Sequence, residues 1–380
     1  MVKEKISREK DKQEKMSRKK DEQRWEKVNK WEVLQGVCKV LLFFALFAGF
    51  VLGLNQWLYF KDGSICSSDE RVRTYQTLPK DSVDVLLVGS SHFMCGINPV
   101  ILWEEEGISA YNLSTRAQTL PFTYLNLKEA FKTQSPEYVI LDAYFVIDEK
   151  EQYGLINNED HLNMNMSVLP FSLEKAKLIH NYIPFRERIY YYAPFVLYHS
   201  RWKRALEVQP DNTDIFLGFA CGEDEAEEPV TFSEPEALLH DETMELDAID
   251  YEYLDKIIRL CEEKGVKIIV VKTPANLGME SIYRLERLGE ILSEKGIPYV
   301  NYLDLYKETD FSFAADFRDA THLNSQGADK ITRHFMNFLV DYKERETGAG
   351  FTDHRGDETY SFWVEESLAY HAHQRERGRE

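Results

Sequence analysis

Side chains that could do chemistry together occur in two short segments that lie far apart in the chain. The segment DVLLVGSSHF (residues 84–93) is an apolar run that breaks at a Gly-Ser-Ser turn ending in Ser91, and the segment DFRDATHLNSQGADKIT (residues 316–332) contains Asp319 and His322. A serine hydroxyl becomes a useful nucleophile when an imidazole accepts its proton and a carboxylate fixes the tautomer of that imidazole. The two segments therefore supply the residue types for a nucleophile, its base and the group that orients the base.

The Gly-x-Ser turn and the later Asp-x-x-His together resemble the SGNH/GDSL hydrolase superfamily, whose first block reads Gly-Asp-Ser. The match places Gly89 and Ser91 in the first block, with Ser91 as the nucleophile, and the Asp-x-x-His pair in the last block. It covers roughly residues 84–340, with a gap in the middle. Ser90 lies on the same turn and is the alternative nucleophile. Because neighbouring side chains of an extended segment point in opposite directions, only one of the two hydroxyls can face the site.

The segment that begins at His322 resembles one branch of that superfamily. The sequence HLNSQGADKIT (residues 322–332) is similar to membrane-anchored proteins that modify cell-envelope polymers, such as the D-alanyl transfer protein of teichoic acid synthesis and alginate O-acetylation factors. The resemblance implies acyl ester transfer on a cell-surface glycopolymer, without a cofactor, with a polytopic membrane acyltransferase as a candidate partner. Three alternatives stay open: a carbohydrate or lipid esterase using the same triad, a non-catalytic scaffold of the same fold, and a membrane-anchored interaction module.

The oxyanion hole of the family is only partly matched. Its second block carries a glycine whose backbone N–H donates to the oxyanion, and Ala117 lies nearest to that position in SAYNLSTRAQTL (residues 109–120). An alanine keeps the N–H, provided that its φ is negative. The third block normally adds an asparagine, whereas this chain has Asp142 at the strand end and no asparagine after it. We expect the backbone N–H groups of Ser91 and Ala117 to form the hole, and losing one donor typically costs about two to three orders of magnitude in rate.

Four further polar residues are candidates for the pocket. His92 follows the nucleophile, Asn112 ends the second apolar run, and Lys272 and Asn276 flank the end of the fourth. Each also has an ordinary structural interpretation: packing or support from a second layer for His92, and turn or helix capping for the other three.

No metal site is predicted. The five cysteines are scattered without Cys-x-x-Cys or histidine spacing, and His371 and His373 lie in a charged tail where histidines are usually solvated. If the domain faces an oxidising space, Cys66 and Cys221 could pair, and reduced, unpaired thiols are the alternative.

Charge is distributed unevenly along the 380 residues. Residues 1–39 contain 13 Lys/Arg against 8 Asp/Glu, whereas the whole chain has a formal net charge of −19, which argues against nucleic acid as a partner. The uncharged run at residues 40–54 and its aromatic extension are long enough for one bilayer-spanning helix. We expect a charged cytoplasmic segment (residues 1–36), a signal anchor in the cell membrane (residues 37–60) and an extracytoplasmic remainder. A cleaved signal peptide is the alternative.

Apolar runs alternate with helix-like stretches through the rest of the chain, which predicts an α/β fold. We expect a flavodoxin-like three-layer α/β/α sandwich with a parallel five-stranded sheet, spanning residues 61–343 and followed by a polar tail at residues 344–380. The five apolar runs are residues 83–89, 108–114, 138–143, 266–274 and 297–302. In such sheets the site lies at the carboxyl ends of the strands, which is where Ser91 and the Asp-x-x-His pair fall.

An insertion at about residues 150–245 interrupts this alternation. Its aromatic part, residues 180–204, predicts helices that cap the site, and its acidic part, residues 221–242, predicts a flexible loop. Basic side chains interleave with the aromatic ones and could hold an anionic sugar polymer; they are Arg186, Arg188, Arg201, Lys203 and Arg204. The favoured alternative is that the aromatic side chains pack the insertion onto the domain.

Overall fold

The computed structural model describes residues 2–59, 71–72, 74–147, 150–199, 215–220 and 244–377. Its strands are β1 (Val85–Val88), β2 (Ala110–Asn112), β3 (Tyr138–Asp142), β4 (Ile215–Phe216), β5 (Phe219–Ala220), β6 (Lys267–Lys272) and β7 (Tyr299–Asn301). Five of them form one parallel sheet in the order β2-β1-β3-β6-β7, and β4 and β5 form a separate antiparallel hairpin. The five predicted strands and the parallel α/β architecture are confirmed. The strand order is that of flavodoxin-like folds.

Helices flank the sheet. They are α1 (Val2–Tyr59), α2 (Ser91–Gly96), α3 (Pro99–Glu106), α4 (Leu120–Ala130), α5 (Glu159–Val168), α6 (Leu173–Tyr182), α7 (Arg188–Tyr192), α8 (Phe195–Tyr198), α9 (Ala248–Lys264), α10 (Met279–Glu294), α11 (Tyr302–Leu305), α12 (Ser325–Thr347) and α13 (Ser361–Glu376). Every residue of β1 and β3 is buried, as expected for central parallel strands that are covered on both faces. Burial on both faces therefore fixes the position of the carboxyl edge of the sheet. At this edge β1 is followed by α2.

The N-terminal helix α1 contains the one stretch, in the part of the chain that the structure describes, that is long and apolar enough to cross a membrane. The candidate span is Arg8–Leu54, and its most apolar window has a mean hydropathy of 2.5. This finding concerns length and composition alone. The side of the membrane on which the sheet lies remains an expectation from the charge distribution.

The described part of the insertion folds as the four short helices α5 to α8 and the hairpin β4–β5. The predicted acidic loop, the basic side chains Arg201, Lys203 and Arg204, and the Cys66–Cys221 pair lie outside the described residues. Cys38, Cys95 and Cys261 are unpaired thiols.

The hairpin covers the exposed edge of β2. Its Leu217 carbonyl accepts a hydrogen bond of 2.9 Å from the backbone N–H of Asn112, and its Gly218 carbonyl accepts one of 2.7 Å from Nε of Arg71. A Cβ on Gly218 would lie 1.9 Å from the Asn112 carbonyl oxygen, so only glycine allows this approach. The insertion thus protects an edge strand that would otherwise expose unpaired backbone groups.

The prediction of a separate polar tail is wrong for helix α13. Trp363 is fully buried and donates its indole N–H to the Ala110 carbonyl of β2 at 3.0 Å. The carboxylate of Glu366 accepts the backbone N–H of Leu217 at 2.8 Å, and Tyr370 packs edge-on against Phe216. The polar composition of the segment concealed a few aromatic side chains that are sufficient to dock it.

Replacing Trp363 by alanine is expected to destabilise the whole domain and not only its last helix. Removing a fully buried tryptophan typically costs about 3–5 kcal/mol, because it leaves a cavity. Urea unfolding of the full chain should show this loss. Leu368→Ala, on the exposed face of the same helix, is the matched control and should change stability little. Equal stability of the two variants would mean that α13 is not part of the domain core.

Candidate active site

The turn between β1 and α2 is built on a glycine that no other residue can replace. Gly89 has a φ of +154°, and a Cβ at this position would lie 2.2 Å from the Cβ of Asp142 at the end of β3. The next residue, Ser90, is the N-cap of α2 and accepts the backbone N–H of His92 at 3.2 Å. Ser91 is then the first residue of the helix, at the carboxyl edge of the sheet.

Asp142 supports this turn from below. Its Oδ2 accepts hydrogen bonds from the backbone N–H of Ser90 at 3.0 Å and from the Ser90 hydroxyl at 2.5 Å, and its Oδ1 accepts the backbone N–H of Tyr144 at 3.0 Å. Burial raises the pKa of Asp142, and the nearby ammonium group of Lys272 opposes that shift. Asp142, at the position where the family has an oxyanion-donating asparagine, therefore stabilises the turn as a hydrogen-bond acceptor.

Ser91, His322 and Asp319 lie in a hydrogen-bonded line. The Ser91 hydroxyl is 2.8 Å from Nε2 of His322, and Nδ1 of His322 is 3.0 Å from each carboxylate oxygen of Asp319. Ser90, the alternative nucleophile, is buried and bonded to Asp142 instead. The structure thus brings the three predicted side chains together and directs the neighbouring serine elsewhere.

The carboxylate of Asp319 is held in its ionised form. Burial pushes its pKa up, but the hydrogen bonds from the His322 imidazole and from the backbone N–H of Thr321 outweigh burial and hold the pKa well below its usual range. Asp319 Oδ1 also accepts the backbone N–H of His322 at 2.8 Å. The Asp-x-x-His spacing therefore closes a local turn in which one carboxylate fixes both the backbone and the imidazole.

The loop that carries this pair is anchored at both ends. Phe317 and Leu323 form an antiparallel bridge, and the side chain of Asn324 donates to the Ala315 carbonyl at 2.7 Å. Asn324 also caps α12 by accepting the backbone N–H of Gly327 at 3.0 Å. These contacts fix the position of the imidazole relative to the sheet edge.

His92 lies within the site as a buried stacking residue. Its ring is sandwiched between Tyr144, at 3.5 Å between ring centroids, and His322, at 4.6 Å. Burial lowers the pKa of His92 well below its ordinary value, and the positive charge of Lys272 lowers it further. A neutral ring in this position packs against one face of the His322 imidazole and restricts its rotation.

The buried His92 predicts a loss of stability in acid. The unfolded chain binds a proton at this residue near pH 6.5, whereas the folded chain does not until a lower pH, so stability should fall as the pH drops below 6.5. The loss from this one group approaches about 1.4 kcal/mol per pH unit. Urea unfolding at pH 7.5 and at pH 5.5 measures this loss. The His92→Phe variant, which keeps an aromatic ring, should lose less stability than the wild-type chain between the two pH values. An unchanged pH dependence in the variant would assign the acid sensitivity to other groups.

Lys272 and Asn276 differ in their placement. Lys272 is fully buried at the end of β6, where it donates to the Thr273 carbonyl at 2.6 Å and lies 5.3 Å from the centroid of the Tyr144 ring. Burial lowers its pKa to about 8. Asn276 is half-buried in the loop that follows. Lys272 is therefore a buried neighbour of the site, in contact with Tyr144, and does not line an open pocket.

Asn112 has no free donor for an oxyanion. It is fully buried, and its amide donates to the carbonyls of Phe93 at 2.8 Å and Ile97 at 3.1 Å, while its oxygen accepts the backbone N–H of Ser114. The expectation of a pocket role for Asn112 is corrected by these contacts. The residue ties the nucleophile helix α2 to the end of β2.

Ala117 does not have the negative φ that was expected of an alanine serving as an oxyanion donor. Its φ is +48°, a left-handed conformation that costs a residue with a Cβ about 1–2 kcal/mol. The loop nevertheless lies beside the nucleophile turn, because Thr115 donates its backbone N–H to the Gly89 carbonyl at 3.0 Å. Within the described residues, no acceptor binds the backbone N–H of Ser91, which as the first helical residue has none inside α2.

Two residues of the site escaped the sequence analysis. Tyr144 follows the end of β3 by two residues, and its ring stacks on His92, a contact that no sequence pattern indicates. Asp142 stands where the family pattern has an asparagine, and no sequence signal shows that it packs against Gly89. In the part of the chain that the structure describes, no three His, Cys, Asp or Glu side chains are grouped to hold a metal ion.

Comparison with known proteins adds little to this geometry. No protein-family model matches the chain, and no curated protein matches it. Among solved structures 29 chains match, and one is described as "a putative acylhydrolase" from Bacteroides fragilis. It is 12% identical, the match covers 70% of this chain and 94% of that chain, and the TM-score is 0.35. Similarity at this level is no basis for a function.

Proposed function

We propose that this chain is a serine enzyme that transfers acyl esters on a cell-surface glycopolymer. The observation that carries the proposal is the line of contacts from the Ser91 hydroxyl through both ring nitrogens of His322 to the carboxylate of Asp319. This is the arrangement that activates a serine for acyl transfer. The resemblance of the Gly-x-Ser and Asp-x-x-His segments to the SGNH/GDSL superfamily supports the same reaction class.

The reaction divides into two half-reactions. His322 Nε2 takes the proton of Ser91, whose oxygen attacks the acyl carbon and forms an ester, and the imidazolium returns the proton to the leaving oxygen. His322 then takes a proton from the acceptor hydroxyl, whose oxygen attacks the acyl-enzyme, and the imidazolium returns this proton to the Ser91 oxygen as the ester bond to Ser91 breaks. Asp319 stays ionised throughout and stabilises the imidazolium.

The tetrahedral oxyanion needs donors in both half-reactions. We assign this role to the backbone N–H of Ser91, which has no acceptor among the described residues and belongs to the first turn of α2. Asp142 does not compete for this position, because its oxygens are bonded to the turn beneath.

The proposed membrane anchor supports a place for the reaction outside the cell membrane. A spanning helix in α1 with a basic flank on its amino side would leave residues 61–380 outside the cell membrane, beside surface polymers. A tether also raises the effective concentration of an acyl donor delivered through the membrane by a polytopic acyltransferase.

Hydrolysis is the second candidate reaction, favoured by one observation. The side chain of His322 is 21% exposed and Ser91 is only partly buried, so water can reach the acyl ester. An esterase would use the same three side chains with water as the acceptor. A non-catalytic scaffold of the same fold is the remaining alternative.

Mass analysis of envelope polymers separates these functions. A deletion strain should carry fewer acyl esters on one surface polymer, and a plasmid encoding the wild-type chain should restore them. Ser91→Ala should fail to restore them at equal protein level, whereas Ser90→Ala should restore most. More ester in the deletion strain would indicate a deacylating esterase. An unchanged polymer, or full restoration by Ser91→Ala, would favour the scaffold.

A further inference from the structure

The helical insertion exposes an apolar surface that the proposed reaction does not use. Phe171, Leu173 and Phe185 are 71%, 75% and 83% exposed, values that are unusual for large apolar side chains in a folded domain. We define the aromatic face as these residues together with the exposed side chains of α7, which gives Phe171, Leu173, Phe185, Ile189, Tyr190 and Tyr192.

These side chains are held together by local contacts. The rings of Phe171 and Tyr192 are 6.3 Å apart, which joins the segment before α6 to the end of α7. The guanidinium of Arg188 lies 5.8 Å from the Phe185 ring, and its Nε donates to the Ile183 carbonyl at 2.9 Å. The aromatic face is therefore one ordered surface and not a set of scattered side chains.

The insertion also contacts the N-terminal helix. Helix α8 contacts both α7 and α1. Where side-chain burial in α1 is described, residues 8–25 and 30–50 are exposed, whereas Val51 and Leu54 are half-buried. The contact with the domain thus lies near the carboxyl end of the apolar run, where a spanning helix would leave the bilayer.

The charge of this region differs from that of the chain. Residues 171–192 contain four Lys/Arg and two Asp/Glu, whereas the chain as a whole contains 46 and 65. Of the four, Arg186 is exposed next to Phe185, and the half-buried Arg188 lies over the Phe185 ring. Exposed aromatic and aliphatic groups with adjacent basic groups are typical of surfaces that lie in the interface of an anionic bilayer.

We propose that the aromatic face lies in the outer leaflet of the membrane in which α1 is anchored, so that the domain is held against the lipid surface in a fixed orientation. The inference rests on the anchoring in the proposed function and is independent of the acyl chemistry. Leu173 and Ile189 favour lipid over a sugar polymer, because aliphatic side chains offer no flat face for stacking on sugar rings. The position beside the exit of α1 favours lipid over a soluble partner.

Fluorescent labelling of the full chain tests this placement. Cys38, Cys66 and Cys221 are changed to serine, and the buried Cys95 and Cys261 are retained. New cysteines carrying the dye NBD are then introduced one at a time by Phe185→Cys on the aromatic face, Leu368→Cys on the exposed face of α13 and Phe47→Cys in α1. Each protein is reconstituted in vesicles of phosphatidylcholine and phosphatidylglycerol, with and without a doxyl-labelled lipid.

The expected result is a blue-shifted emission at position 185 that the doxyl lipid quenches, and a water-like, unquenched emission at position 368. Water-like emission at position 185 with quenching at position 47 would overturn the inference and leave the anchor intact. A blue shift at position 185 without lipid quenching would also overturn it, because protein would then cover the face. Absence of quenching at position 47 would refute the anchor and, with it, the inference. Quenching at position 368 as strong as at position 185 would show adsorption without a defined face.

Discussion

Ser91→Ala is expected to lower the turnover of a small aryl acetate by about four to six orders of magnitude relative to the wild-type chain. The wild-type rate itself should be modest, because the site lacks a side-chain oxyanion donor. The reason is that, among the described residues, the Ser91 hydroxyl is the nucleophile that lies within hydrogen-bond distance of His322 Nε2, at 2.8 Å. His322→Ala should cost about as much, and the double variant little more, because the two side chains act as one unit.

The neighbouring serine is the matched control for this result. Ser90→Ala removes an N-cap and a hydrogen bond to Asp142, so it should reduce stability by about 1–2 kcal/mol and keep most of the turnover. Asp319→Asn should be severe but milder than the loss of either partner, because the imidazole is mis-oriented and not removed. A Ser91→Ala protein with intact fold and unchanged turnover would contradict the assignment.

Gly89→Ala is expected to have the largest effect on folding. A Cβ would lie 2.2 Å from the Cβ of Asp142, and the φ of +154° is strained for any residue with a side chain. Strain and overpacking together should lower the free energy of unfolding by about 3 kcal/mol or more. Urea unfolding of the full chain measures this, and turnover should fall in parallel because the turn positions Ser91.

Gly278→Ala is the matched control for Gly89→Ala. Gly278 has a φ of −72°, and a Cβ there would meet no atom within 4 Å, so the change should alter stability by only about 0.5 kcal/mol. If Gly89→Ala proved as stable as Gly278→Ala, the turn could not have the close packing on Asp142 that defines the site.

The strands were predictable because their signal is local. Each apolar run contains its own β-branched residues and ends at a turn, so β1 and β3 could be located without knowledge of their neighbours. The pairing of Asp319 with His322 was also predictable from local sequence, because the two residues are three positions apart and lie on one turn. The contact between Ser91 and His322 spans 231 positions. It was predicted from the resemblance to the SGNH/GDSL superfamily together with the rule that sites lie at the carboxyl ends of parallel strands.

Other features depend on tertiary packing and had no such signal. The sequence shows Asp142 as a carboxylate at a strand end, but its role follows from its contact with Gly89, which is distant in the chain. The left-handed φ of Ala117 likewise reflects the loop around it and not its own preference. The docking of helix α13 was not predicted, because a few buried aromatic side chains, among them Trp363 and Tyr370, hold a segment of otherwise polar composition.

The site is the central claim, and covalent labelling tests it most directly. The full chain in detergent is treated with a fluorophosphonate, digested, and mapped by fragment mass spectra that distinguish Ser90 from Ser91. The structure predicts one adduct, on Ser91, which is lost in His322→Ala and retained in Ser90→Ala. An adduct on Ser90, or a folded wild-type chain that takes no label at Ser91, would contradict it.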